Sequence, residues 1–216
     1  MIDQDESWQV IKHTVKADGQ VQDFIEDEVA LPSGGTMVRQ YADHPGAVSI
    51  IAVDEQLRVA VVDQYRHPVR MRLIEPPAGL LDIAGEDPLL AAKRELAEEA
   101  QLAAETWAVL LDIFTSPGGL AEPIRVYLAR DLKPAPRPEG FAVEDEEAEM
   151  SVHWIPLDEL VESVYAGKIQ SPTMVNGVLS LKLAIEQGRV GELRPADAPW
   201  GARDRLVARR SKDHER

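Results

Sequence analysis

Glu95, Glu98 and Glu99 place three carboxylates within five residues, inside the run Arg94-Glu95-Leu96-Ala97-Glu98-Glu99. The spacing predicts a helix. At about 100° per residue the acids share one arc of its surface, while Leu89, Ala92, Leu96 and Ala100 stack on a neighbouring apolar stripe. Like charges at i,i+4, such as Glu95 and Glu99, repel by roughly 0.2–0.5 kcal/mol on an exposed helix, and by more where solvent is excluded. A hard divalent cation would gather them, since Mg²⁺ and Mn²⁺ take oxygen ligands, keep several waters and are shared between carboxylates and substrate phosphates. Taken alone, the same triplet also describes a solvated acidic face with Arg94 and Glu98 as an i,i+4 pair. Just upstream, Asp87-Pro88 reads as N-cap and first helical residue, which leaves Glu86 outside the helix and placed to position Arg94.

The stretch around this helix resembles the box of the Nudix hydrolases. The family pattern is Gly, five residues, Glu, seven residues, then Arg-Glu-aliphatic-x-Glu-Glu-x-Gly-aliphatic, and this chain reads Gly79, six residues, Glu86, seven residues, then Arg94 to Leu102. It departs by one extra residue after Gly79 and by Gln101 in place of the second glycine. A left-handed position there costs a non-glycine roughly 1–2 kcal/mol, so the helix is expected to end differently. The resemblance implies Glu95 and Glu99 as metal ligands, Glu98 as a further ligand or a base, and the backbone carbonyl of Ala78 as completing the site. Gly79, Glu86 and Arg94 carry structural roles in the motif. The implied cofactor is Mg²⁺ or Mn²⁺.

Further segments resemble the ADP-ribose pyrophosphatase branch. Gln64-Tyr65-Arg66-His67-Pro68 matches a Q-[YF]-R segment, and Arg66 would address a phosphate or the adenine side with its planar fork. Ser116-Pro117-Gly118-Gly119 with Glu122 resembles S-P-G-G-x-x-E, with Pro117 fifteen residues past Leu102. Ser116, Gly118, Gly119 and Glu122 are thereby substrate-binding candidates: glycines admit backbone amides to a ligand, and Glu122 could accept from ribose hydroxyls. In the acidic run Glu144 to Glu149, the resemblance places Glu146 as the group that orients or deprotonates the attacking water, with Glu147 and Glu144 as alternatives. The implied reaction is hydrolysis of ADP-ribose to AMP and ribose 5-phosphate. Competing readings are a Nudix pyrophosphatase for another nucleoside diphosphate sugar, such as an ADP-sugar or GDP-mannose, and a non-catalytic ADP-ribose-sensing module. His67 and His153 each stand alone and read as structural.

The elements that must position these groups follow from the rest of the chain. Its 216 residues, 44% of them hydrophobic, suffice for one ordinary domain with a small appendage. The net charge of −15 opposes a counterion-releasing grip on nucleic acid. No apolar stretch approaches the roughly 18 residues of a membrane span, and the acidic N-terminus lacks a signal-peptide pattern. With no cysteine, the chain suits a reducing, cytoplasmic compartment. Residues 8–17, 20–30 and 36–42 read as an antiparallel meander broken by Asp18-Gly19 and Pro32-Ser33-Gly34-Gly35. Strands are predicted at 48–53, 58–65, 107–114, 123–128 and 152–155, and helices at 157–165 and 173–187. Residues 133–140, rich in proline, are expected to form a loop. The reading is a mixed α/β protein, a Nudix-type α/β/α sandwich around a mixed sheet with a small N-terminal antiparallel β appendage. Residues 1–46 are the meander, 47–200 the hydrolase domain, and 201–216 a charged tail expected to fray. A sheet so small cannot bury Trp8, Val10, Ile11, Phe24 and Ile25 alone, and the resemblance implies a homodimer in which each meander helps close its partner's active site.

Overall fold

A computed structural model of the chain describes residues 1–138 and 150–214. It divides into two units. The first gathers Met1–Gly46, Phe114–Pro123 and Trp200–Arg216; the second comprises Ala47–Ile113 and Ile124–Pro199.

In the first unit the turn residues break the chain into β1 (Val10–Ala17), β2 (Asp23–Ala30) and β3 (Thr36–Asp43), paired antiparallel in sequence order. A two-residue strand, β9 (Leu120–Ala121), joins β3 in parallel, with Ala42 opposite Leu120. Buried Asp27 ties the meander across its width, accepting from the Tyr41 hydroxyl at 2.9 Å and facing His13 Nδ1 at 2.7 Å. The charged C-terminal stretch, expected to fray, is instead the helix α4 (Gly201–His214). Its charges have partners: Arg209 bonds the buried Asp43 and lies 5.4 Å from the Tyr41 ring centroid, Arg210 reaches Asp43 at 3.5 Å, and Arg205 pairs with Asp5. Sequence periodicity misses such a helix because distant ion pairs rather than an apolar stripe hold it.

The second unit is built on β4 (Ala47–Val53), all of whose residues are buried, Ser49 lying within an otherwise apolar run. It pairs in parallel with β10 (Pro123–Pro134) and antiparallel with β5 (Arg58–Arg66). The sheet runs β11 (Ser151–Pro156), β5, β4, β10, β8 (Leu102–Phe114), β12 (Arg194–Pro195), with β6 (Met71–Glu75) on β5 and β7 (Ala78–Leu80) on β4. Alternate residues of a strand face opposite sides. Ile51, Val53, Val59 and Val61 join the core with Leu157 and Leu160 of α2 (Leu157–Tyr165) and Met174, Val178 and Leu181 of α3 (Pro172–Glu186). Gly177 lets α3 lie close, since a Cβ there would stand 2.6 Å from Ile51 Cδ1. Val48, Ile50, Ala52, Ala60 and Val62 are equally buried on the alternate positions, and α1 (Pro88–Ala100) contacts β4, β5 and β7. The unit is therefore a mixed α/β fold, as its sequence implied. Among the described residues no helix is long and apolar enough to cross a membrane.

Two local expectations are corrected. β10 carries on through Lys133 and Pro134 before the proline-rich segment leaves it, which a proline tolerates at a strand end where its missing N–H is not needed. Gln101 adopts the left-handed conformation after all, at φ 54° and ψ 41°, and its N–H donates to the Ala97 carbonyl at 3.2 Å. Closing α1 so directly onto β8 outweighs the local steric cost. Gln101→Gly should therefore raise stability by about 1 kcal/mol, because strain relief exceeds the added freedom of the unfolded chain. A thermal melt checks this, and an unchanged or lower midpoint would show the Gln101 backbone to be unstrained.

Candidate active site

Sequence places α1 through its cap. The Asp87 carboxylate accepts from the N–H groups of Leu89 at 2.9 Å and Leu90 at 3.2 Å, and Pro88 opens the first turn. Ala91, Ala92, Leu96 and Ala100 are buried and anchor one face. The acidic face is thereby fixed in rotation.

Glu86 grips Arg94 through both oxygens, from Nε and Nη2 at 3.1 Å each. The Arg94 Nη1 then donates to Glu95 at 2.6 Å and Glu98 at 3.0 Å. Its hydrogen bonds to Glu86, with the neighbouring carboxylates, hold the guanidinium pKa above its ordinary value. Glu99 is buried and accepts from the Ala78 backbone N–H at 2.9 Å. Thus Ala78 touches the acidic helix through its amide, while the role read from the sequence concerned its carbonyl. At Gly79 any methyl would overlap the Glu95 carboxyl. The glycine is needed there for close approach.

The donors are carboxylate oxygens of low exposure with one guanidinium among them, chemistry that fits a hard divalent cation. Among the described residues no three acidic or imidazole side chains already converge as a metal-holding group. Glu95 and Glu98 are directed to Arg94 instead. Glu95, Glu98 and Glu99 are the residues that could hold a metal.

Arg66 ends β5 and is paired with Glu75, at the end of β6, through Nε at 2.9 Å and Nη2 at 2.7 Å. Glu75 is 8% exposed, and neither composition nor the motif singled it out. The available signal was an acid closing the apolar run Leu73-Ile74 just before Pro76-Pro77. Tyr65 and His67 form an edge-on ring pair beside it.

The Ser116 loop belongs to the first unit. The Ser116 carbonyl accepts from the N–H groups of Gly119 at 3.0 Å and Leu120 at 2.9 Å. The Gly119 amide is therefore engaged inside the turn. A Cβ at Gly118 or Gly119 would meet nothing within 4 Å, so both glycines border open space. Glu122 accepts from the Thr115 hydroxyl at 2.6 Å and lies 3.6 Å from His44 Nδ1. Burial lowers the His44 pKa, partly opposed by the Glu122 charge. Neither Thr115 nor His44 stood out in the sequence. Glu146, with Glu144 and Glu147, lies outside the described residues.

Residues 43–174 match the NUDIX domain family. The chain is 44% identical over 184 residues to an ADP-ribose pyrophosphatase of Mycobacterium tuberculosis, covering 85% of this chain and 86% of that one. It is 36% identical over 165 residues to a methanol dehydrogenase activator of Bacillus methanolicus, covering 76% of this chain and 87% of the relative. A crystal structure of an ADP compounds hydrolase superposes with a TM-score of 0.70 over 88% of this chain and 100% of its own; at 18% identity the likeness is one of fold.

Proposed function

The chain belongs to the NUDIX domain family, and from that premise we propose that it hydrolyses the pyrophosphate linkage of ADP-ribose to AMP and ribose 5-phosphate. The observation that carries this is the carboxylate set Glu95, Glu98 and Glu99 organised by Arg94 and Glu86, in a chain whose 44% identity to an ADP-ribose pyrophosphatase spans most of both sequences. Water adds across one bridging P–O bond, so one phosphate takes the hydroxyl and the other leaves with the bridging oxygen. A bound Mg²⁺ or Mn²⁺ would supply charge neutralisation at the non-bridging oxygens and a more acidic water.

This chain's own residues then divide the work. Glu95 and Glu99 would hold the cation, with Glu98 as a further ligand or base and the Ala78 carbonyl as a further candidate ligand. Arg66 binds a phosphate, and Ser116, Gly118, Gly119 and Glu122 are substrate-binding residues. Glu146 is assigned the water on the sequence resemblance alone. The absence of cysteine supports a reducing, cytoplasmic setting.

The test is product chromatography with ADP-ribose and with GDP-mannose, in Mg²⁺ and after chelation. AMP and ribose 5-phosphate should form from ADP-ribose and cease with EDTA. Undiminished turnover after chelation, or cleavage of GDP-mannose without any of ADP-ribose, would overturn the reading.

We also propose a homodimer through the β1–β3 sheet. Trp8, Val10, Ile11 and Phe24 are exposed while Ile25 is buried, leaving apolar surface that a second copy could cover. Light scattering at micromolar concentration should give twice the chain mass. A monodisperse monomer sinks it.

A further inference from the structure

We infer that Glu75 is a positioning residue for substrate binding, acting by holding Arg66 with one edge of its guanidinium engaged and the other directed to a phosphate. The inference rests on the phosphate role proposed for Arg66. Arg66 is half-exposed, yet its Nε and Nη2 are both fixed on one oxygen of the buried Glu75, at 2.9 and 2.7 Å. A lone arginine at a strand end loses much rotamer freedom when it binds a ligand. One already clamped along a single edge has met that cost in folding. The remaining N–H groups at Nη1 make no bond to a protein group among the described residues, and they define where an anion would sit.

Glu75 itself is held by the fold. It stands opposite Val62 in the β5–β6 ladder, so the strand that ends in Arg66 also registers its partner. After Glu75 the chain passes through Pro76-Pro77, whose dihedrals are restricted, and the Pro77 carbonyl accepts from the Ile50 N–H at 2.8 Å. The next residue is Ala78, whose N–H bonds Glu99, and then comes Gly79, against which Glu95 packs. Five consecutive residues, Glu75 to Gly79, therefore fix both Arg66 and the carboxylates of α1. A phosphate bound by Arg66 would be set at a constant distance from those acids. An alternative that Glu75 merely neutralises a buried surface predicts no link to Arg66 at all.

The test is a double-mutant cycle of Glu75→Gln, Arg66→Ala and the pair, read as calorimetric affinity for ADP in EDTA and as kcat and KM for ADP-ribose in Mg²⁺. Glu75→Gln keeps the shape but loses the charge-assisted bond, and should weaken ADP binding and raise KM about tenfold, with kcat changed by less than about threefold. Glu75→Asp should recover part of the loss. In the Arg66→Ala background Glu75→Gln should add less than about twofold. An equal loss in both backgrounds would overturn the inference, as would a fall in kcat without a change in KM, or no measurable ADP affinity in the wild type. Circular dichroism of each variant separates these from misfolding, since an unfolded Glu75→Gln leaves the Glu75→Asp arm to decide. Because the calorimetric arm needs no turnover, a wild type that binds ADP but leaves ADP-ribose intact would sink the proposed activity and still judge Glu75.

Discussion

Glu99→Gln is expected to lower kcat/KM for ADP-ribose by roughly 10²–10³-fold, since losing one charged ligand removes several kcal/mol of transition-state stabilisation and each 1.4 kcal/mol is about tenfold. The fold should survive it. Glu99 is buried and accepts from the Ala78 N–H at 2.9 Å, a bond that the amide oxygen of glutamine can accept equally well. Without cation the variant should even gain slightly, because one of the like charges on α1 is gone. Steady-state kinetics over a Mg²⁺ titration, paired with a thermal melt, separates the two effects. Near-normal rate at limiting Mg²⁺ would remove Glu99 from the ligand set, and a melt lowered by many degrees would make its role structural.

The second large effect concerns stability. Arg125 is 2% exposed and spends its guanidinium on four acceptors: Asp112 at 2.8 and 3.1 Å, the Ala198 carbonyl at 2.7 Å and the Pro199 carbonyl at 3.2 Å. Burial pushes its pKa down, but the hydrogen bonds and charge of Asp112 outweigh that and hold it raised. Arg125→Ala leaves two carbonyls without their donor and a cavity in their midst, while Arg194 at 2.7 Å still serves Asp112. Breaking such a buried set costs about 3–5 kcal/mol, or roughly 10 °C of melting temperature for a chain of this size. Arg125→Lys should recover less than half, since one ammonium cannot reach a fork of acceptors. A loss below about 1 kcal/mol for the alanine variant would mean that water replaces the guanidinium without penalty.

What the sequence revealed depended on the range of the physics involved. Asp87, Pro88, Glu86 and Arg94 act on one another within a few residues, so cap and ion pair were both readable and both hold. The strands of the meander and α2 were equally plain from turn residues and periodicity. Pairing between distant segments was not: Asp43 with Arg209, Arg125 with Asp112 and Ala198, and Arg66 with Glu75 join residues whose types say nothing about their partners. β6 and β7 escaped because each is short and one follows a proline pair. Gln101 was misread for a different reason. Local propensity argues against its conformation, and the junction of α1 with β8 prevails over propensity.

The first unit draws on three separate stretches, Met1–Gly46, Phe114–Pro123 and Trp200–Arg216. During synthesis the meander leaves the ribosome before its parallel partner β9 and well before the arginines that meet Asp43 and Asp5. Until then the β3 edge that Leu120 and Ala121 pair with lies open, and an open strand edge is the kind of surface that drives premature association. The second unit is complete as soon as Pro199 has emerged. Translation order thus finishes the N-terminal unit after the second one, and truncation or pausing after Pro199 would release a chain with a whole second unit and an unfinished first.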